Sequence, residues 1–426
     1  MTLVIFVIVL LGAMAIGVPI AYALILCGVA LMYQMDIFDA QIVAQNLING
    51  ADSFPLMAVP FFMLAGELMN AGGLSRRIVD MAMALMGHIK GGLGYVSILA
   101  ACILASLSGS AAADAAALAT LLVPMMVRAG HDKARSAGLI AAGGIIAPVI
   151  PPSIGLILIG VAGNLSISKL FLAGIVPGLL MGLFLSFTWW FLARREDVTP
   201  SPRVSGRDVL RSFVDGIWAL LLPLIIIFGL KFGIFTPTEA GVVAAVYALL
   251  VATLIYRELK LRDLYAVFVT AAMTTSMVMF LVAAALVSAW MITVADLPGQ
   301  MIELLEPFIE SPTLLMVVII LLVVVIGTAM DMAPVILILT PVLLPVVKQA
   351  GIDPIYFGVM FVMTTSIGLI TPPVGTTLNV VAGVTKLDMW SLIKGVNPFL
   401  LSHLVVVLLL ILFPWLITVP GEWLAR

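Results

Sequence analysis

Apolar residues run along the chain in long unbroken blocks separated by short polar stretches, and neither a strand-like alternation nor a one-sided helical stripe is sustained. The blocks fall at about 2–16, 19–33, 53–73, 91–127, 136–163 and 170–193, then 212–232, 238–256, 265–293, 312–346, 355–384 and 393–418. A helix needs ~20 apolar residues to cross a bilayer core, so the pattern predicts membrane-spanning helices. Two blocks, 91–127 and 312–346, are too long for one crossing and carry small or polar residues at their middle. They are read as re-entrant hairpins. The expected fold is an all-α polytopic membrane protein of ten full spans and two hairpins.

Composition sharpens this. Of 426 residues, 63% are hydrophobic and 10% charged, with a mean hydropathy of +1.26, which excludes a soluble enzyme. The net charge of −2 gives no sign of a nucleic-acid partner. Cys27 and Cys102 lie inside apolar blocks, and His88, His131 and His403 are far apart, so neither a disulfide framework nor a metal cluster is legible. No Lys or Arg precedes Arg76, so the opening apolar run is expected to belong to the mature protein rather than to a signal peptide.

Basic residues favour the cytoplasmic side. With an outer N-terminus and both hairpins returning to their own side, sixteen of the twenty Lys and Arg residues fall inside. Only Lys169, Lys231, Lys348 and Arg426 remain outside, together with the acids Asp296, Glu303, Glu306 and Glu310. Both termini are then outside. Trp189–Trp190 and Trp415 near span ends suit an aromatic belt.

The most polar stretch, 194–211, divides the chain into nearly equal halves. A shift of 221 residues places Pro124 on Pro345, Gly130 on Gly351, Asp132 on Asp353, and Pro151–Pro152 on Pro372–Pro373. The loops differ in charge: 74–90 carries Arg76, Arg77 and Lys90, whereas 294–312 carries four acids. Five spans per half place the second copy in opposite orientation. The expected organisation is a first inverted repeat over 1–193, with a cytoplasmic arm 74–90, hairpin 91–127 and broken helix 136–163. A cytoplasmic linker 194–211 follows. The second repeat, 212–426, has a periplasmic arm 294–312, hairpin 312–346 and broken helix 355–384. Inverted repeats with broken helices at the midplane mark secondary transporters.

Candidate chemistry concentrates at those breaks. The first hairpin turns at Ser106, Ser108, Gly109 and Ser110, and its facing segment GGIIAPVIPPSIGLI (143–157) cannot be one regular helix. Backbone polar groups at that depth must find protein, ion or water partners. The carbonyls from Gly144 through Pro148 to Ile150 are expected to be unwound and to suit a hard cation, which takes oxygen ligands. In the second copy Gly327, Thr328 and Asp331 form the turn, opposite a segment with Thr371, Gly375, Thr376, Thr377 and Asn379. Asn379 meets Leu158 at the offset, so it is expected to read the substrate. Among intramembrane acids, Asp114 and Asp331 rank first as functional groups, although Asp114 equally suits a brace for its hairpin. Glu239, within FTPTEAG, is read as a helix cap, and Glu67 as reaching water.

The runs GADSFPLMAVPFFMLAGELMNAGGLSRRIV, SLSGSAAADAAAL, GGIIAPVIPPSIGLI, FTPTEAG and ITPPVGTTLNV, in this order over essentially the whole chain, resemble the large membrane (DctM-type permease) subunit of tripartite ATP-independent periplasmic (TRAP) transporters. The resemblance implies a sodium-driven importer of organic acids in the bacterial inner membrane, with an ion-transporter-superfamily fold that moves as an elevator. Its implied partners are a small four-helix DctQ-type membrane subunit and a periplasmic DctP-type substrate-binding protein. It also implies one sodium site between Ser108–Ser110 and Gly144–Pro148, and a second between Gly327–Asp331 and Thr371–Thr376, Thr328 and Gly375 included. The carboxylate substrate would then lie between the tips, near Ser108, Gly109, Ser110, Asp331, Thr376 and Asn379. No helices for a fused small subunit fit before residue 53, so a separate partner chain is expected, and no P-loop suggests ATP-driven transport. Rival readings are a stand-alone carboxylate carrier of the same fold and a channel or scaffold protein.

Overall fold

The computed structural model describes residues 2–196, 198, 200 and 202–425. Among the described residues every regular element is helical. The first half comprises α1 (Thr2–Ala15), α2 (Ile20–Gln34), α3 (Ala40–Ala51), α4 (Ala58–Ala71), α5 (Leu74–Met86), α6 (Gly92–Ser108), α7 (Ala111–Arg128), α8 (Lys133–Gly144), α9 (Ile154–Ala162) and α10 (Ile167–Ala193). The second comprises α11 (Gly206–Lys231), α12 (Pro237–Leu250), α13 (Leu261–Val294), α14 (Leu297–Ile309), α15 (Pro312–Gly327), α16 (Met332–Gln349), α17 (Pro354–Gly368), α18 (Thr376–Thr385), α19 (Met389–Leu412) and α20 (Trp415–Ala425).

Helix bounds follow the offset of 221 from α5 onwards. Shifted, α7 becomes 332–349, the bounds of α16, and α8 begins at 354 with α17. The halves differ before that point. Positions 40–71 contain α3, a break at Asp52–Ser53 and a short turn of 3-10 helix at Phe54–Met57, then α4. Their shifted counterpart is the single 34-residue helix α13, about 51 Å long.

Among the described residues eight helices are long and apolar enough to cross a membrane, and two of these are the hairpin arms α7 and α16. The expected spans at 2–16 and 19–33 form helices of 14 and 15 residues, about 21–23 Å each, shorter than the ~30 Å core. Gly17 and Pro19 interrupt the apolar run there. The expected spans 136–163 and 355–384 are each two half-helices in series. The block 393–418 divides at Pro414, which lacks the donor needed to continue α19. The linker is shorter than expected, because α11 already starts at Gly206, capped by Ser205.

Packing forms two groups, which meet where α13 lies on α16 and α4 on α6. In one, α4 lies against α12, and α13 against α2, α3 and α4. In the other the two halves interlock: α7 packs on its own α8 and on α18, while α16 packs on its own α17 and on α9. The outer helices cross over too, α19 onto α8 and α10 onto α17. Amphipathic α5 buries Leu74, Ile78, Val79 and Ala82 and leaves Arg76 and Asp80 exposed. Trp189 is fully buried, not at an interface belt, because its Nε1 donates to the Gly91 carbonyl at 2.8 Å. Trp190 and Trp415 remain exposed, the former beneath the Arg194 guanidinium.

Candidate functional site

The first hairpin reverses over two residues. Gly109 ends α6 with φ +61°, a left-handed conformation that favours glycine, and Ser110 caps α7 by accepting from Ala113 N–H. Ser108 Oγ donates to Asp114 Oδ1 at 2.6 Å and accepts from Ser110 N–H at 3.1 Å. Asp114 is buried, and its Oδ2 has no hydrogen-bond partner among the described residues. The serines are therefore not freely presented: the turn is braced from within.

The facing segment approaches closely. A β-carbon on Gly109 would lie 3.0 Å from the Pro152 carbonyl oxygen and 3.4 Å from Ile154 N. Helix α8 continues through Gly143 and Gly144, so the expectation of unwound carbonyls from Gly144 is corrected: the irregular stretch is 145–153. The Gly144 carbonyl accepts from Ala147 N–H. Glycine stands at 144 because a β-carbon there would sit 2.8 Å from the Ala115 β-carbon and 2.9 Å from the Ala111 carbonyl, closing the approach of α7. The Pro148 carbonyl accepts from Ser153 Oγ, which also caps α9 through Leu156 N–H. Both prolyl pairs, Pro151–Pro152 and Pro372–Pro373, contain a cis bond.

The second hairpin turns more widely, over residues 328–331. Thr328 Oγ1 donates to the Val325 carbonyl at 2.7 Å. Asp331 caps α16, accepting from Met332 N–H at 2.9 Å, and is exposed. Across the gap, Thr376 Oγ1 donates to Asp331 Oδ1 at 3.5 Å, so the two expected windows meet here. They also meet through glycines, since a β-carbon on Gly368 would lie 2.8 Å from the backbone of Gly327. Gly375, with φ +48°, starts α18. Thr371 Oγ1 donates to the Ile367 carbonyl, and exposed Asn379 donates from Nδ2 to the Val374 carbonyl at 3.0 Å. Asn379 thus steadies the turn that begins its own helix.

Each turn therefore faces the irregular stretch of its own broken helix, with hydroxyl, carboxylate and carbonyl oxygens gathered at both. Oxygen-rich donor sets of this kind fit a hard monovalent cation, and the starts of α7 and α18 supply N–H groups suited to a carboxylate. Glu239 lies elsewhere, in a capping box with Thr236. Two participants were not anticipated from sequence. Ser153 was legible as a serine after two prolines and before an apolar run. Gly66 of α4, whose β-carbon would lie 3.5 Å from Ser108 Cα, carries no such signal, whereas Thr377, already expected in the polar segment, buries an Oγ1 that has no partner among the described residues.

This architecture, helices broken in pairs around two polar turns, is that of a membrane transporter. The crystal structure of the Alcanivorax borkumensis YdaH transporter has the same fold, with a TM-score of 0.63 over 91% of this chain and 90% of that one at 15% identity. The tripartite ATP-independent periplasmic transporter family, DctM component, matches residues 7–416, and the chain belongs to it. It is 58% identical, over 97% of its length and 98% of the relative's, to the 2,3-diketo-L-gulonate TRAP transporter large permease protein YiaN of Escherichia coli. It is 38% identical, over 89% of each, to the C4-dicarboxylate TRAP transporter large permease protein DctM of Pseudomonas aeruginosa. Over 95% of each, it is 37% identical to the sialic acid TRAP transporter large permease protein SiaM of Vibrio cholerae. The chain is accordingly a large permease protein of the bacterial inner membrane, and its family is one of transport permeases rather than enzymes.

Proposed function

We propose that the chain is the permease subunit of a sodium-coupled, binding-protein-dependent importer of a small organic acid, working by an elevator movement. The observation that carries this reading is the pair of oxygen-lined turns, each set against the break of a half-helix pair. Relatives named for a sugar acid, sialic acid and C4-dicarboxylates support a carboxylate as cargo. Sodium would be held by Ser108, Ser110 and the carbonyls of 145–148 in the first copy. In the second, Gly327, Thr328, Asp331, Thr371 and Gly375 would hold it. Bound there, it supplies positive charge beside the substrate carboxylate. The chain's own residues orient the acid: Gly109, Thr376 and Asn379 line the space between the turns, and the α7 and α18 N-termini face its charge.

In this reading α6–α9 and α15–α18 move as one body against a frame of α1–α4 and α11–α13, with α5 and α14 as interfacial arms. The halves are inverted repeats, so Pro200→Cys and Gln300→Cys variants should label from opposite sides of the membrane; labelling from one side removes the inversion. A small DctQ-type subunit and a soluble DctP-type binding protein complete the system. The test is uptake of 2,3-diketo-L-gulonate, sialic acid and C4-dicarboxylates into proteoliposomes holding this chain and its small subunit, under an inward sodium gradient. Uptake requiring both sodium and the binding protein is the expected result. Uptake without the binding protein would make the chain a stand-alone carrier.

A further inference from the structure

Two grooves flank the interlocked half-helices, on corresponding helix pairs of the two copies but displaced along them. One, of about 310 Å³, lies beside α9 and α16 and is lined by Val161, Ala162, Leu337 and Pro341. It is roofed by α13, through Val282, Leu286 and Trp290 among others, and by Asn46 of α3. Shifted by 221, Leu337 and Pro341 fall on Ala116 and Thr120, and Val161 and Ala162 on Ala382 and Gly383. The second groove, about 550 Å³, shares Thr120 with these positions and continues further along the same two helices: it is lined by Thr120, Val123, Pro124 and Arg128 of α7, Lys133 of α8, and Thr385 of α18, with Ala119, Val127 and Val384. Its walls come from α7, α8 and α18 alone, and Thr120, Pro124, Val127 and Arg128 are exposed.

The open groove is also the charged one. Arg128 and Lys133 stand at its end, where the offset pairs them with uncharged Gln349 and Pro354, and no acid lines it. Neither base is in an ion pair among the described residues: Arg128 Nε donates to the Pro124 carbonyl at 3.2 Å, and neighbouring Asp132 is occupied in capping α8. Two of the three walls, α7 and α18, are the helices whose starts, Ser110–Ala111 and Gly375–Thr376, border the proposed substrate site. From Thr376 to Thr385 is nine residues, about 14 Å along α18. Two hydroxyls, Thr120 Oγ1 and Thr385 Oγ1, each donate to their own helix and keep lone pairs toward the groove.

We propose that this groove is a release subsite for the transported organic anion, with Arg128 and Lys133 drawing the carboxylate from the turns to the cytoplasmic mouth. The inference rests on the importer reading above and adds to it the path and residues by which the acid leaves. A low-dielectric channel with two unpaired cations at one end concentrates anions there.

The test has an electrostatic arm that does not depend on transport. In the complete complex, with Cys27 and Cys102 replaced by serine, a Thr120→Cys reporter is labelled with anionic and cationic methanethiosulfonate reagents of equal size. The anionic reagent should be favoured, and Arg128→Gln/Lys133→Gln should lower the anionic-to-cationic rate ratio about fivefold. Arg128→Lys/Lys133→Arg should restore it. In the transport arm, the Gln pair should cut the maximal uptake rate of 2,3-diketo-L-gulonate about tenfold without moving the sodium concentration for half-maximal uptake. It should also weaken protection of the reporter by the same acid loaded inside the vesicles. An unchanged reagent ratio overturns the subsite. So does protection that requires cardiolipin in the vesicles and ignores the acid, which would make the occupant a lipid headgroup. Absence of uptake by the unsubstituted complex, with the reagent ratio still shifted, would fault the choice of cargo while leaving the groove's charge established.

Discussion

The two hairpins descend from one pattern yet solve the same physical problem differently. The first turns in two residues and is braced from within: Ser108 donates to one oxygen of Asp114, both within the hairpin, and the carboxylate is buried with its second oxygen unpartnered among the described residues. The second turns in four, leaves Asp331 exposed, and reaches across to Thr376 on another element. Polar groups buried within a single hairpin fix its shape, whereas a contact made across a gap can be exchanged for a ligand. The comparison assigns the first turn a structural share and the second the more adjustable one.

The largest effect should come from Asp114→Ala. Loss of the buried acceptor orphans the Ser108 hydroxyl and opens the turn, costing about 2–3 kcal/mol, read as a lowered melting midpoint in detergent together with lost uptake. Asp331→Ala should cost no more than about 1 kcal/mol, the worth of a helix cap, while raising the sodium concentration needed for half-maximal uptake more than Glu67→Ala does. Equal destabilisation by the two aspartate variants would erase the distinction between the turns. Next, Gly368→Ala should destabilise by about 1–3 kcal/mol, because its new β-carbon meets the Gly327 backbone. The matched residue of the first copy is already Ala147, so Ala147→Gly should change stability by less than about 1 kcal/mol.

A smaller, pH-dependent effect distinguishes the halves at the end of α10. Glu196, just after α10, accepts from Arg135 Nη1 and bonds His131 Nδ1, each at 2.5 Å, and has no counterpart in the second copy. Burial alone would raise the Glu196 carboxyl, but the His131 hydrogen bond and the His131 and Arg135 charges outweigh it and hold the group below its ordinary range. A depressed carboxylate stabilises the fold above its unfolded value, ~4.3, and loses that contribution as the pH falls through the lower folded value. Glu196→Gln should therefore melt below the unsubstituted protein at pH 7, with the gap closing under acid. A gap independent of pH would point to packing rather than charge.

Much of this was legible in the chain because prolines and glycines punctuate it. The hairpins, the broken helices and the 221-residue offset all rest on residues whose backbone limits are intrinsic, such as Pro151–Pro152 and Gly109. What escaped depended on tertiary partners. Helix α3 carries polar Gln41, Gln45 and Asn46 and makes no apolar block, yet it packs against α13. Gly143–Gly144 reads as a break but is helical, since its role is to admit α7. Trp189 reads as an interfacial residue, but the Gly91 carbonyl gives its indole a buried partner. At the site, the windows around Asp331 and Thr376 could be paired from the repeat, whereas the Ser108–Asp114 bond and the Asn379–Val374 bond depend on rotamers that spacing does not encode.

The crossing of α7 with α18 and of α9 with α16 also bears on how the protein comes into being. A ribosome working at ~5–20 residues per second finishes the first hairpin ~10–40 s before the second. During that interval α7 and α9 sit in the bilayer without the helices that will cover them. A turn that depended on a distant partner would spend the wait with a carboxyl group uncovered in lipid. The Ser108–Asp114 bond closes within six residues, as soon as the hairpin itself exists. The turn that is made first is thus the one closed by its own residues, and the later turn makes its polar contact with α18, which follows it in the chain.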